Sequence, residues 1–501
     1  MASGVDPISL DEPLAYRAVR GGLWVAFGSY FTFVFGFLAN LVLTRLLSPE
    51  HFGTFSLAVF FFSLINLRPK IGINYAFVHW QETTGELVGS HFLLDVLAGL
   101  LTLLIAGAAV LVLRTLGYAQ GVGWVLLALA GVGLSDALGA TAWLLLEKSL
   151  RLRQTSILSS IIFALSYIPA FAVALRGGGY WSLVAQNVAV SVSSLLVMWW
   201  VTRRQLPTLW QIPCCFDWRL SKALLRFGVM AGLLGLLAAM TMSFDNFLVG
   251  TLVGVAALGF YDRAYRIAEW PNKLVYGVVT RTAFYTYARL KDDQGGLQKT
   301  ATMLVWLIVT VTIPLGLAIL VAAPEVVRIL YGERWLPSAW ILRWLVVYAL
   351  IRPLLDNANS LFIAVGRPQR GTIIAAVQMA VLVIAATPLT LRYKTWGTCV
   401  GVGMTFIVAL TLAWWYMRQI VGIPTREILI GPLPAAVLAL TAYVILESRV
   451  NLHDLTLAVQ AGIKAALVIA VFFVALFALQ ARLFVERSRY VWHLLRKYET
   501  S

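Results

Sequence analysis

Apolar residues run through this chain in blocks of about twenty, the length a helix needs to cross the hydrocarbon core of a bilayer. Fourteen such blocks can be drawn, at 22–46, 52–78, 88–113, 122–146, 156–175, 180–201, 224–249, 256–281, 300–322, 338–364, 371–391, 396–417, 427–446 and 457–481. They predict an all-α polytopic membrane protein. Charges, together with Pro69, Pro271 and Pro353, interrupt the second, eighth and tenth blocks. Proline within a spanning helix is tolerated where neighbours re-satisfy the freed backbone groups.

Composition agrees with that pattern. Of 501 residues 60% are hydrophobic and only 12% charged, against about 25% charged in a soluble domain. The net charge of +16 therefore points to cytoplasmic loops rather than to nucleic acid. Both termini and the even-numbered loops hold most of the cations, among them Arg17, Arg20, Lys148, Arg151, Arg153, Arg203, Arg204, Lys222, Arg289, Lys299, Arg367 and Arg418. The odd loops hold only scattered ones, such as Arg45, Arg114, Arg176 and Arg334. An even number of spans with both ends in the cytoplasm fits this bias. The first twenty residues carry Asp6, Asp11 and Glu12, lack a signal-peptide layout, and read as a cytosolic tail. Residues 482–501 read as a basic amphipathic cytosolic tail lying on the inner leaflet. Cys214, Cys215 and Cys399 lack metal-ligand spacing, and the first two fall in a cytoplasmic loop where thiols stay reduced.

A shift of 206 positions lays the segment from Arg20 over the segment from Arg226. Arg20 meets Arg226, Gly22 meets Gly228, Asn40 meets Asn246, Gly53 meets Gly259 and Phe55 meets Tyr261, without a gap. Six blocks separate the copies, so the second returns in the same orientation. The expected plan is an N-lobe at 21–202, a cytoplasmic linker at 203–222, a C-lobe at 223–419 and two further helices within 420–481. Such parallel repeats place a central cavity between two six-helix lobes and suit alternating access.

One stretch, 243–273, stands out because its helix carries charge. Asp262, Arg266, Glu269 and Lys273 recur at i, i+4, i+7 and i+11 and fall on one stripe. Ionisable groups at bilayer depth are costly and face a watery cavity or another helix.

The blocks LVLTRLLSPEHFGTFSLA (41–58) and DNFLVGTLVGVAALGFYDRAYRIAEWP (245–271), with Gly366-Arg367-Pro368 after a helix, resemble the polysaccharide transporter branch of the multidrug/oligosaccharidyl-lipid/polysaccharide exporter superfamily. The resemblance covers nearly the whole chain. It implies a flippase, not an enzyme, that passes a polyprenyl-diphosphate-linked oligosaccharide across a bacterial inner membrane to periplasmic polymerisation and export machinery. No Walker motif is present, so ATP hydrolysis is not expected here.

A diphosphate head and a glycan need cations and hydrogen-bond donors at bilayer depth, and arginine suits phosphate best. The candidate substrate-binding residues are Lys70, Asn74, Arg263, Arg266, Lys273 and Arg352, with Arg68 a weaker one. The bland alternative is mutual neutralisation, because Asp262–Arg266, Glu269–Lys273 and Arg352–Asp356 are i, i+4 pairs. Arg263 has no acidic neighbour at that spacing. Asp95, Asp136 and Asp245 sit in apolar helices without a nearby sequence partner. Each is either a proton or sodium coupling site or a carboxylate bonded to a neighbouring helix. Trp24, Trp80, Trp124, Trp181, Trp270, Trp335 and Trp396 fall near block ends and read as interfacial anchors. Two other functions compete: a cation-coupled drug antiporter, which prefers an acidic lining, and a membrane polymerase or ligase, which needs larger periplasmic loops.

Overall fold

The computed structural model describes residues 14–80, 83–149, 151–206, 216–226, 243–275, 281–452 and 454–499. Among them the secondary structure is helical throughout, without a strand. The chain divides into two compact units, Met1–Ser243 and Phe244–Ser501.

The first unit runs through α1 (Leu14–Leu46), α2 (Pro49–Ile65), α3 (Ile73–His79), α4 (Gly85–Thr115), α5 (Gln120–Lys148), α6 (Leu152–Leu165), α7 (Tyr167–Leu175) and α8 (Trp181–Gln205). Local chemistry explains the boundaries. Pro49 occupies the first turn of α2, where its missing N–H costs nothing. Thr84 caps α4 by accepting from the Leu87 N–H at 3.2 Å. The second block is broken into α2, a single turn at Arg68–Ile71, and α3, with Gly72 at φ 61° between the last two. The fifth is divided at Ser166, three residues before Pro169. Leu144, Leu145, Phe77 and Leu87 form one buried cluster, and Ala142, Leu146, Ile162 and Met198 another.

The second unit contains α9 (Val255–Ala268), α10 (Trp270–Val275), α11 (Arg281–Arg289), α12 (Gln294–Val321), α13 (Ala323–Tyr331), α14 (Pro337–Ala364), α15 (Gln369–Val381), α16 (Thr387–Val421), α17 (Pro432–Arg449) and α18 (Leu457–Glu499). Tyr287, Val305, Ile308, Leu361, Phe362 and Met417 are central to its largest core. The eighth block is broken at Glu269, whereas α14 continues through Pro353.

Among the described residues, eleven helical stretches are long and apolar enough to span a membrane. One of them, Gln369–Val421, is 53 residues long and reverses at Lys394, whose φ of 56° and ψ of −141° are not helical. It thus holds the eleventh and twelfth expected spans as a hairpin. The return is tight: a Cβ at Gly401 would come 2.5 Å from Ala386, and one at Gly397 would strike the Leu389 carbonyl. The seventh expected span, 224–249, lies largely outside the described residues. So do Cys214, Cys215 and the side chains of the 482–501 tail. Leu104, Leu175, Ile384 and Val474 stand on the outside of their helices, as lipid-facing side chains do. The chain is a multi-pass helical membrane protein.

The helix starts keep the repeat's register. Pro49 opens α2 and Val255 opens α9, 206 positions apart, behind Ser48 and Gly254. Thr115 and Val321 end α4 and α12 at the same spacing. Gly254 has φ 127°, a conformation open to glycine, whereas Ser48 at the equivalent place is extended at φ −83°.

Candidate functional site

The second and eighth spans are both broken, at Asn66 and Gly72 in the first unit and at Glu269 in the second. A helix break releases backbone carbonyls, and inside a membrane those must find donors. The first unit supplies them with charged side chains. Lys70 bonds the Leu64 carbonyl, left open where α2 ends. Lys148, at the end of α5, reaches the Phe77 and Trp80 carbonyls at the end of α3.

Arg68 is the organising group of this unit. Its Nε and Nη2 donate to the two carboxylate oxygens of Asp95, each at 2.8 Å, in a bidentate fork. The same guanidinium reaches the Gly133 and Asp136 carbonyls at 3.3 and 3.2 Å. Asp95 is fully buried. The Asp136 carboxylate accepts from Ser191 Oγ at 2.5 Å, tying α5 to α8. One turn before Asp95, fully buried His91 links Thr141 to Asn74, both contacts at 3.0 Å. The broken half of the second span is thereby fastened to α4 and α5 at three levels.

In the second unit charge is shared differently. Asp262 Oδ2 accepts from Arg263 Nη2 at 2.6 Å, Arg263 Nε at 3.0 Å and Arg266 Nε at 3.1 Å. Arg263 is 2% exposed while Arg266 is 51% exposed. Further along, Glu269 holds Lys273 at 2.9 Å, and that lysine is 46% exposed. Tyr348 on α14 packs its ring 4.9 Å from Tyr265 and donates to Glu269 Oε1 at 3.4 Å. One turn beyond it lies Arg352, paired with Asp356 at 3.3 Å. So α9, α10 and α14 together carry a polar strip with both signs of charge and two accessible cations. Asp245 takes a 2.8 Å hydrogen bond from Tyr261 Oη and one of 2.9 Å from the Asn246 N–H.

All three i, i+4 pairs expected from sequence form. The Asp residues that lacked sequence partners have spatial ones: Arg68 for Asp95, Ser191 for Asp136 and Tyr261 for Asp245. Arg263, which lacks an acidic neighbour at i±4, folds back onto the adjacent Asp262. Trp335 is corrected outright. It is 1% exposed and packed between Phe260 and Tyr331, so it is a core residue and not an interfacial anchor. Trp124, Trp181 and Trp396 are exposed, as anchors require. His91 and Tyr348 went unnoticed, because a lone histidine and a lone tyrosine in apolar runs give no signal until their partners are in place.

Comparison with known proteins places this geometry. The fold matches that of the lipid II flippase MurJ in an inward closed conformation, with a TM-score of 0.71, 14% identity, and coverage of 92% of this chain and 100% of that one. An inward-facing multidrug resistance MATE family transporter of the MOP superfamily matches at 0.62 and 17% identity, over 77% of this chain and 94% of that one. These likenesses are of fold. Residues 42–340 match the family described as polysaccharide biosynthesis protein, and the chain belongs to it.

Two relatives are similar at lower coverage. The teichuronic acid biosynthesis protein TuaB of Bacillus subtilis (strain 168) is 22% identical over 59% of this chain and 61% of its own length. The succinoglycan biosynthesis transport protein ExoT of Rhizobium meliloti (strain 1021) is 26% identical over 65% of each. The matches thus span just under two thirds of these relatives. Membership of this family agrees with the resemblance read from the sequence.

Proposed function

We propose that this protein is a flippase for polyprenyl-diphosphate-linked oligosaccharide repeat units in a bacterial inner membrane, serving exopolysaccharide or O-antigen synthesis by alternating access. The observation that carries the reading is the accessible cationic strip of the second unit. A diphosphate crossing hydrocarbon must exchange its water for donors and positive charge. Arg266 and Lys273 are each held by an acidic partner yet keep about half their surface open. Arg352, with Arg263 behind it, adds to the positive potential. Lys70 and Asn74 are already engaged by Leu64 and His91, so they hold the broken helix and serve substrate only indirectly. The names of the relatives, teichuronic acid and succinoglycan, support a glycan-linked cargo.

Transport against a gradient needs a coupling proton or sodium ion. Both Asp95 oxygens are committed to Arg68, so we assign that role to Asp136 and Asp245. Each is held by one side-chain hydroxyl. The periplasmic polymerisation and export machinery is the expected recipient. In a strain lacking this protein, the lipid-linked oligosaccharide should accumulate on the inner leaflet. Normal delivery to the outer leaflet would sink the reading and favour a small-molecule antiporter on the same fold.

A further inference from the structure

Three acidic and basic residues far apart in sequence meet where the second unit's last two helices join it. Lys464, eight positions into α18, donates to Glu325 Oε1 on α13 at 2.9 Å and to Glu447 Oε1 in the last turn of α17 at 3.3 Å. Glu325 is 5% and Lys464 7% exposed, and the ammonium lies 5.8 Å from the Tyr443 ring. Apolar contact drives helix association weakly in lipid, because the tails are as apolar as the side chains. The packing of Leu317 and Val321 on Ala435, Ala439, Val468 and Phe472 therefore gives fit more than attraction. A buried charge that loses its partner is strongly unfavourable. The lysine thus sets where the α17–α18 hairpin docks.

What it docks on matters more. Six residues past Glu325, at the other end of the same short helix, is Tyr331. That residue is buried within electrostatic reach of Asp262, Arg263 and Arg266. Just beyond, Trp335 packs 5.8 Å from Phe260 on α9, and Ser338 Oγ donates to the Phe260 carbonyl at 2.9 Å. One end of α13 is pinned by Lys464. The other leads through Tyr331 and Trp335 to Phe260, on the helix that carries the cationic strip.

We infer that Lys464 is a positioning residue for the substrate cations: through Glu325 and α13 it sets the placement of α9 and so of Arg266. This rests on the proposed function, which names the strip as the binding surface. The test uses the full chain in lipid nanodiscs with farnesyl diphosphate as a short prenyl diphosphate probe. Lys464→Met should weaken probe binding about tenfold, within the usual range of coupling between distant sites. Lys464→Arg should bind like the wild type, and the swap Lys464→Glu with Glu325→Lys should recover most of the loss. Hydrogen exchange separates positioning from general destabilisation. In Lys464→Met, amides of 323–335 and 255–268 should exchange faster while those of 85–148 do not change. Unchanged exchange at 255–268, equal acceleration in both units, or full probe affinity in Lys464→Met overturns the inference. If the wild-type protein binds no prenyl diphosphate, the flippase reading fails, and the exchange comparison still decides whether Lys464 acts on α9.

Discussion

The two units treat their ion pairs in opposite ways. In the first, Arg68 closes both arms of its fork on one fully buried carboxylate, and the pair staples a broken helix to its neighbours. In the second, one carboxylate, Asp262, is shared between a buried arginine and an exposed one. A closed pair is structural: its charge is spent within the protein. A shared acid leaves positive potential over for something else. Helix starts repeated at a spacing of 206 residues thus carry a closed ion pair in one copy and, on the proposed reading, the substrate's binding surface in the other.

That contrast can be broken most severely at Asp95. Asp95→Ala strands the Arg68 cation in a buried site and should cost about 3–5 kcal/mol, read as a lower unfolding midpoint in detergent. Replacing both residues by leucine should recover most of it, since a buried pair gains little over apolar packing. Arg263→Met is the matching change in the second unit, with a smaller expected loss of about 1.5–3 kcal/mol, because Arg266 still neutralises Asp262. Equal losses at the two sites would erase the distinction. Asn74→Leu removes a partner from His91 and should cost about 1–3 kcal/mol in the same assay, with little change in probe affinity per folded molecule. Tyr348→Phe removes the hydroxyl that meets Glu269 and Tyr265 and should shift stability by about 1 kcal/mol.

Much of the scaffold was legible before any coordinates. Twenty-residue apolar blocks are a direct demand of bilayer thickness, so the spans were readable, and the repeat register survives in the helix starts at Pro49 and Val255. The breaks in the second and eighth spans were signalled by their charges and prolines. Pro353 gave the same signal without a break, since neighbouring helices can absorb one missing hydrogen bond. Pairs set by helix periodicity were also readable, which is why Asp262–Arg266, Glu269–Lys273 and Arg352–Asp356 were found.

Tertiary pairs were not. Arg68 and Asp95 are 27 positions apart, and Lys464 and Glu325 are 139 apart. No periodicity links such residues; only the packing of separate helices does. Arg263 escaped for a different reason. Adjacent residues on a helix do not normally face each other, but a long guanidinium can curl back to the carboxylate beside it. Trp335 misled because nearness to a block end is a statement about sequence, while burial depends on where the following turn folds.

The central claim is that accessible cations of the second unit carry the anionic head. The direct measurement is transbilayer movement of a fluorescent polyprenyl-diphosphate glycan in proteoliposomes containing Arg266→Ala/Lys273→Ala. The account predicts that movement falls to the protein-free rate while the unfolding midpoint stays close to that of the wild type. Wild-type movement by that double variant would contradict it.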